Sequence, residues 1–368
     1  MVVSKMSFVK SLIESRDGVH LTTYLENHGD LHALRAQLRG SIDYAYENLA
    51  PVMQAPMIGR LLDPLDKLFS EPDKLLQMKG NVGIFRNQAM FRILNIPVHV
   101  SSGCHVASSF HVKPLLKWLQ TDQEFLLISV TRVSDAQIEV SIYSGNRASF
   151  RQSAVSLFRL EQLEAKQGIE FESLQEALDV HQEYAAAKTF LCGERSLCEQ
   201  VKANLTLANL DERFVGVVAD AHSLEEICRE IRVSMMLHAR RKLESTLNEF
   251  ILADLESRTS KNLFQIAQAV VKGRVRKLIV SDEVQIFGKI DRRSGGLAIH
   301  PFDLDHEDDD LLDDLAQMVL SKGGEVFVAS KDEIPNGRPI LAIYEDDGRY
   351  PLRLENISHF EVPREHLG

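Results

Sequence analysis

At 368 residues the chain is too long for one ordinary core and calls for two or three domains. Its 44% hydrophobic and 26% charged residues fit a soluble globular protein, and no apolar run approaches the roughly 18 residues that span a bilayer, so no membrane association is expected. A formal charge of −11 speaks against indiscriminate nucleic-acid binding, DNA included, because an acidic surface repels phosphates over about a Debye length.

In chain order, the opening segment is broken by Lys5, Lys10 and Glu14 before any long apolar stretch, so it does not read as a secretory signal. Val19 to Leu25 reads as a strand, and Asp30 to Ala50 as a helix capped by Asp30. Pro51, Pro56 and Pro64 punctuate shorter helical pieces. The segments NVGIF and MFRILNIPVHV read as strands turned around Arg86 to Ala89, and this first α/β block, residues 1–121, ends near Phe110 to Gln120. A second block, 122–222, opens with EFLLISVTRV and AQIEVSIYSG, an antiparallel pair turned at Ser134 and Asp135. Alternation puts Ile138, Val140 and Ile142 on one face. After Arg147 the sequence is polar, then Ser173 to Ala187 reads as a helix. KTFLCG and FVGVVAD read as buried strands with the helix ERSLCEQVKANL between them, which implies a mixed or parallel sheet. The third block, 223–368, begins with a long helix from about Ser223 to Glu256. It continues through the helix NLFQIAQAVVKG, the strands RVRKLIV, VQIFGKI and LAIH, an acid-headed helix, and the strands EVFVA and PILAIYE. This is the order of an α/β/α domain.

Eight carboxylates fall between Asp303 and Asp314. Asp303, Asp305 and Glu307 alternate like calcium-loop ligands, but the sixth position of such a loop needs glycine and here holds Asp308. Leu311, Leu312, Leu315, Met318 and Val319 repeat at helical spacing and Gly323-Gly324 can end a helix, so the acids read as a helix start, favoured by the helix dipole. His99, Cys104, His105 and His111 are a dense group of imidazole and thiol with no compact zinc spacing. His105 and His111 are expected at strand ends or a domain seam, and no metal or cofactor is expected. Cys104, Cys192, Cys198 and Cys228 form no C-x-x-C pair and read as reduced, mostly buried thiols of a cytoplasmic protein. His28 and His32 are four apart, but Gly29 and Asp30 intervene, so capping or surface roles are expected.

No nucleophile-elbow, phosphate-loop, dinucleotide or H-E-x-x-H motif is present, which weakens an enzyme reading. Charge is unevenly distributed: from Arg229 to Arg293 there are 14 Lys or Arg against 8 Asp or Glu, and from Asp303 onward 6 against 17. Guanidinium forks suit phosphate, so the candidate RNA-binding residues are Arg240, Arg241 and Lys242, then Lys272, Arg274, Arg276 and Lys277, then Arg292 and Arg293. The last two clusters are expected at the ends of neighbouring strands. No catalytic residue is singled out.

The third block resembles the C-terminal domain of archaeal and eukaryotic release factors and Pelota, and more closely that of the bacterial archaeo-eukaryotic release factor family. NLFQIAQAVVKGRVRKLIVSDE (Asn262 to Glu283) and LLDDLAQMVLSKGGEVFVASKDEIPNGRPILAIYE (Leu311 to Glu345) carry the likeness. FLLISVTRVSDAQIEVSIYSGN (Phe125 to Asn146) with KTFLCG is similar to the central, ribonuclease H-like domain of those factors. NVGIFRNQAMFRILNIPV and FHVKPLLKWL resemble the segment ahead of it. The resemblance implies three α/β domains, the central one ribonuclease H-like with a mixed sheet and the last an α/β/α sandwich. It also implies tRNA or the ribosome as partner, in translation or ribosome rescue. One departure stands out. Release factors carry Gly-Gly-Gln after the second central strand; here that region is GNRASFRQSAVSLFRLEQLEAKQG, with Gln152 but no glycine pair before it, which puts peptide release in doubt. Two rivals remain: an RNA-cleaving or tRNA-end-processing enzyme, and a scaffold whose acidic C-terminal domain docks a basic protein.

Overall fold

The computed structural model describes residues 5–16, 18–71, 73–77, 80–96, 99–121, 124–145, 150–161, 169–185, 188–207, 209–218, 221–300 and 308–345. Within them the chain is α/β throughout, built on four sheets.

The first sheet, in the order β3-β2-β1-β4, comprises β1 (His20–Leu25), β2 (Asn81–Arg86), β3 (Phe91–Ile96) and β4 (Gly103–Ala107), all antiparallel. Helix α1 (Lys5–Glu14) precedes it. After β1 come α2 (Leu31–Leu49), α3 (Ala55–Ser70) and the single turn α4 (Asp73–Leu76). The expected cap is present: the Asp30 side chain accepts from the backbone N–H groups of His32 at 2.8 Å and Ala33 at 3.3 Å. Leu34, Leu38, Leu61 and Leu65 lie against Leu21, Leu25, Val82 and Ile84 on one face of this sheet.

Helix α5 (Lys113–Thr121) leads to the second sheet, ordered β7-β6-β5-β8-β9. β5 (Phe125–Ser134), β6 (Gln137–Gly145) and β7 (Phe150–Arg159) form an antiparallel meander, while β8 (Lys188–Gly193) and β9 (Leu210–Asp211) add on in parallel. The sheet is therefore mixed. Between them run α6 (Ile169–Ala185) and α7 (Arg195–Asn204). Two elements differ from the sequence expectation. The polar stretch after Arg147 contains β7, an edge strand whose outward positions need no apolar side chain. In FVGVVAD the described residues, Phe214 to Val218, do not form a strand: Gly216 has φ +97°, only Val215 bridges to Gly193, and Val218 is 63% exposed.

A 35-residue helix, α8 (Ala221–Leu255), follows. Its first half sets Ile227, Cys228, Ile231 and Met235 on Phe125, Leu127, Phe190 and Cys192 of the second sheet. Its second half sets Leu243, Phe250 and Ala253 on a third sheet. That sheet, β10-β16-β11-β15, consists of β10 (Thr259–Ser260), β11 (Val275–Ser281), β15 (Glu325–Ala329) and β16 (Ile340–Tyr344). Its other face is covered by α9 (Leu263–Val271) and α10 (Leu311–Ser321), completing the α/β/α layers. The fourth sheet is small: β12 (Phe287–Ile290) between β13 (Leu297–Ile299) and β14 (Asp309–Asp310).

The first and last blocks share one apolar core. Val9, Leu12, Tyr24, Phe85, Leu115 and Trp118 belong to the same buried cluster as Ile266, Leu278, Leu312, Leu315 and Val319. Among the described residues no helix is long and apolar enough to cross a membrane. Cys192, Cys198 and Cys228 are free and buried, and Cys104 is free and partly buried.

Because one face of α8 is buried and its far end is not, two substitutions on it separate cleanly. Phe250→Ala, at a side chain 2% exposed, is expected to cost about 3–5 kcal/mol. Leu255→Ser, at 82% exposed, should stay within about 0.5 kcal/mol. Urea denaturation of both variants checks the contrast.

Candidate functional site

The start of α10 lies in the seam between the first and last blocks. Asp310 caps the helix, accepting from the Leu312 N–H at 3.1 Å. That part of the sequence reading holds, but the acids are not a solvated helix start: Asp308, Asp309, Asp310, Asp313 and Asp314 are all at most 6% exposed. Asp303, Asp305 and Glu307, the alternating trio, lie outside the described residues.

A buried carboxylate persists only where donors converge on it, and the segment after β4 supplies them. Ser108 gives Asp309 its backbone N–H at 3.2 Å and its hydroxyl at 2.5 Å. The Val112 N–H lies 3.1 Å from both Asp313 oxygens, and the Lys113 N–H also donates to Asp313. Gln317 Nε2 reaches Asp313 at 2.7 Å and the Phe110 carbonyl at 2.8 Å. Lys113 Nζ donates to Asp310 and to the Val284 carbonyl, both at 2.6 Å, with its side chain only 2% exposed. Asp314 accepts from Ser109 Oγ at 3.3 Å and from Arg292 at 3.1 Å, and His300 Nδ1 sits 2.8 Å from Asp308.

His105 and His111 are at this seam, as their sequence context led us to expect. Their rings stack with centroids 4.1 Å apart, and Tyr24 donates its hydroxyl to the His111 carbonyl at 2.7 Å. Burial lowers His105 to about 4 and holds His111 well below the usual imidazole range. Cys104 is engaged separately, accepting from Thr23 Oγ1 and donating to the Ser41 carbonyl. Among the described residues no three His, Cys, Asp or Glu side chains are grouped to hold a metal ion. Beside the seam opens a cleft of about 900 Å³, bordered by α2, β4, α5 and the loop before β12. Its polar lining includes Tyr44, His105, Lys117 and Asp282, the last two paired with each other. The outward pair His28 and His32 does not join it: His28 lies 3.4 Å from Glu26.

The nine candidate RNA-binding residues are spread over three places. Arg276 and Lys277, on β11, both pair with Glu249 of α8. Lys242 pairs with Glu325 at 2.9 Å, and Arg240 with Glu244 one helical turn away at 3.0 Å. Arg292 reaches Asp314 on α10 and Arg293 is exposed in the β12–β13 turn. The clusters around Arg276 and Arg292 do not sit on neighbouring strands: β11 and β12 belong to different sheets. Glu249 and Asp314 lie on helices that cover opposite faces of the third sheet. Lys272 is exposed and Arg274 partly buried after α9, and Arg241 is exposed on α8. Of the acids of the C-terminal domain, Asp308, Asp309, Asp310, Asp313 and Asp314 are buried at the seam.

Gln152 lies within β7, opposite Tyr143, and donates to Ser141 Oγ at 3.1 Å.

No family model matches this chain, and no curated protein matches it. In structure it is similar to Pelota and release-factor proteins. A model of ribosome-bound archaeal Pelota and ABCE1 matches at 13% identity, over 73% of this chain and 72% of that one, with a TM-score of 0.37. S. cerevisiae Dom34, a translation termination-like factor involved in RNA quality control pathways and interacting with Hbs1, matches at 14% identity with a TM-score of 0.36. That match covers 61% of this chain and 63% of Dom34, less than two thirds of the yeast protein. The archaeal translation termination factor aRF1 matches at 12% identity over 93% and 98%, with a TM-score of 0.23.

Sequence reading missed the seam residues Ser108, Ser109, Lys113 and Gln317. Nothing in α10 signalled them: Asp310, Asp313, Asp314, Gln317 and Ser321 recur at helical spacing as one polar stripe, which in sequence reads as a solvent face.

Burial and neighbouring carboxylates raise Asp309 to about 8 and Asp313 to about 7. The folded chain then holds protons that the unfolded chain loses near pH 4, so this contribution falls as pH rises from about 4 to 8. Burial also raises Asp314, against the pull of Arg292 and Arg16. The depressed His105 and His111 act oppositely, but only up to about pH 6.5. Stability is therefore expected to decline between about pH 6.5 and 8, and Asp309→Asn to flatten the decline; melting temperatures across that range decide it. Lys113→Met leaves Asp310 without its buried cation and should cost about 3–5 kcal/mol, measured by urea denaturation.

Proposed function

We propose that this chain is a release-factor-like protein that contacts tRNA or ribosomal RNA, in translation or ribosome rescue, without hydrolysing peptidyl-tRNA. The reading takes the chain as three parts, 1–121, 122–222 and 223–368, each of which resembles the corresponding part of the bacterial archaeo-eukaryotic release factor family.

One observation carries the claim of no hydrolysis. A glutamine that orients water at a tRNA ester has to stand on backbone free to approach the substrate closely, which is the use of glycines before it. Gln152 follows Arg151, is fixed in a strand, and spends its amide on Ser141. Held in a strand, it lacks the free backbone that close approach to a substrate needs.

For RNA contact the outer face of α8 is the best supported surface. Arg240 and Arg241 are both exposed there, and the Arg240–Glu244 pair is a surface pair of the kind worth about 0–1 kcal/mol, easily exchanged for phosphate. Arg276, Lys277 and Arg292 are committed to carboxylates and are weaker prospects.

Purified protein is expected to cosediment with ribosomes, with binding that weakens as salt rises. Arg240→Glu with Arg241→Glu should lower the slope of log affinity against log salt by about 2, while the peptidyl-tRNA on the same ribosomes stays intact. An unchanged slope removes this face from the reading. Ester hydrolysis lost on Gln152→Ala overturns the claim about peptide release.

A further inference from the structure

We propose that the outer side of α8 pairs with the same helix of a second copy of this chain, the two running antiparallel. Apolar residues are left in the open there: Val233, Met236, Leu237, Ile251, Leu252 and Leu255 are between 47% and 82% exposed, although the same helix buries its inner side on two cores. Exposed apolar groups gathered on one element, rather than scattered, mark a place where another surface belongs.

Their spacing says what covers them. Leu237 and Ile251 each stand seven residues from Glu244, and Val233 and Leu255 each eleven. Seven and eleven residues are close to two and three whole turns, so these four share one line with Glu244, within about 20°. Adding Arg240 and Asn248, each four residues from Glu244 and both exposed, gives the stripe Val233, Leu237, Arg240, Glu244, Asn248, Ile251, Leu255. Steps of three and four are those of a coiled-coil seam, and here they read the same from either end. A stripe of that kind is complementary to itself when reversed: a twofold axis beside Glu244 sets Leu237 against the partner's Ile251 and Val233 against the partner's Leu255. Each contact then occurs twice, as a closed twofold interface requires.

The polar centre decides direction. Laid parallel, the two helices would set Arg240 against the partner's Arg240, and like charges brought together oppose association. Reversed, Arg240 lies level with the partner's Asn248, and the axis gathers two arginines and two glutamates, because each Arg240 already holds its own Glu244 at 3.0 Å. That cluster is neutral. The seam from Val233 to Leu255 is about 33 Å long, with apolar residues closing both ends. A copy seated here would cover Arg240 and Arg241, so pairing and RNA contact exclude one another on this face; the pairing itself does not rest on the RNA reading.

Light scattering of the full chain at about 50 µM is expected to give a dimer, twice 41.5 kDa. Leu237→Glu with Ile251→Glu should give a monomer whose melting temperature is unchanged, since both sites are exposed. Val133→Glu, at a valine 56% exposed on β5, should stay dimeric. Under oxidation with copper phenanthroline, Glu244→Cys should link two copies through a disulfide, while Leu237→Cys, about 21 Å from its counterpart along the seam, should not. A monomeric parent chain, a dimer that survives the double variant, or Leu237→Cys linking as readily as Glu244→Cys overturns the proposal. None of these measurements involves RNA, so an intact dimer with no ribosome binding would fell the RNA reading alone.

Discussion

A carboxylate taken out of water has to find cations or hydrogen-bond donors, or keep its proton. Five aspartates around the start of α10 are buried, and Asp309, Asp310 and Asp313 draw donors from a segment some two hundred residues earlier in the chain. Ser108 N–H and Oγ, the Val112 and Lys113 N–H groups and Lys113 Nζ all converge on them. Neither block completes this network alone. Removing the first block would strand the aspartates, and removing α10 would strand Lys113. The apolar cluster running from Val9 through Tyr24 to Leu312 and Leu315 supplies attraction without direction; the polar seam fixes register, because hydrogen bonds are directional and these donors and acceptors meet in one alignment.

Helix α8 imposes a second constraint. Ile231 and Met235 pack on the second sheet, while Leu243 and Phe250 pack on the third, so one rigid rod belongs to two cores. At 35 residues it is about 52 Å long. Between the two contact regions its outer side carries Met236, Leu237, Arg240 and Arg241 in exposed positions. A ligand on that stretch would meet both halves of the molecule through a single element, which makes the bridge a better place for recognition than either end.

Most of the element order was legible in the sequence because local patterning decides it. Asp30 and Asn262 announce the starts of α2 and α9 by side chains that accept from the following N–H groups. The alternation of Ile138, Val140 and Ile142 marks β6, and Gly273, at φ +68°, closes the helix before β11 as its position after an apolar periodic run indicates. β7 was missed because an edge strand buries one side only, and FVGVVAD misled because apolar residues also line a tight turn. The seam was not legible, since a partner for Asp313 can be named only once the chain has folded back upon itself. Nor was the pairing of Arg276 and Lys277 with Glu249, for the same reason.

The fate of the basic residues changes where function is to be sought. A local excess of positive charge in sequence becomes a binding surface only if the fold leaves it unspent. Here Arg276 and Lys277 share Glu249, Lys242 holds Glu325, and Arg292 is drawn to the seam by Asp314. Each engaged cation would have to leave its carboxylate to meet a phosphate, and the buried Asp314 could not be left without compensation at small cost. Arg240 and Arg241 face no such penalty, because their positions on α8 are exposed and the Arg240–Glu244 pair lies at the surface. Exposed cations thus stand on the helix that joins the two halves, at Arg240 and Arg241, and also at Lys272 after α9 and Arg293 in the β12–β13 turn, while Asp308 to Asp314 help to hold the first and last blocks together.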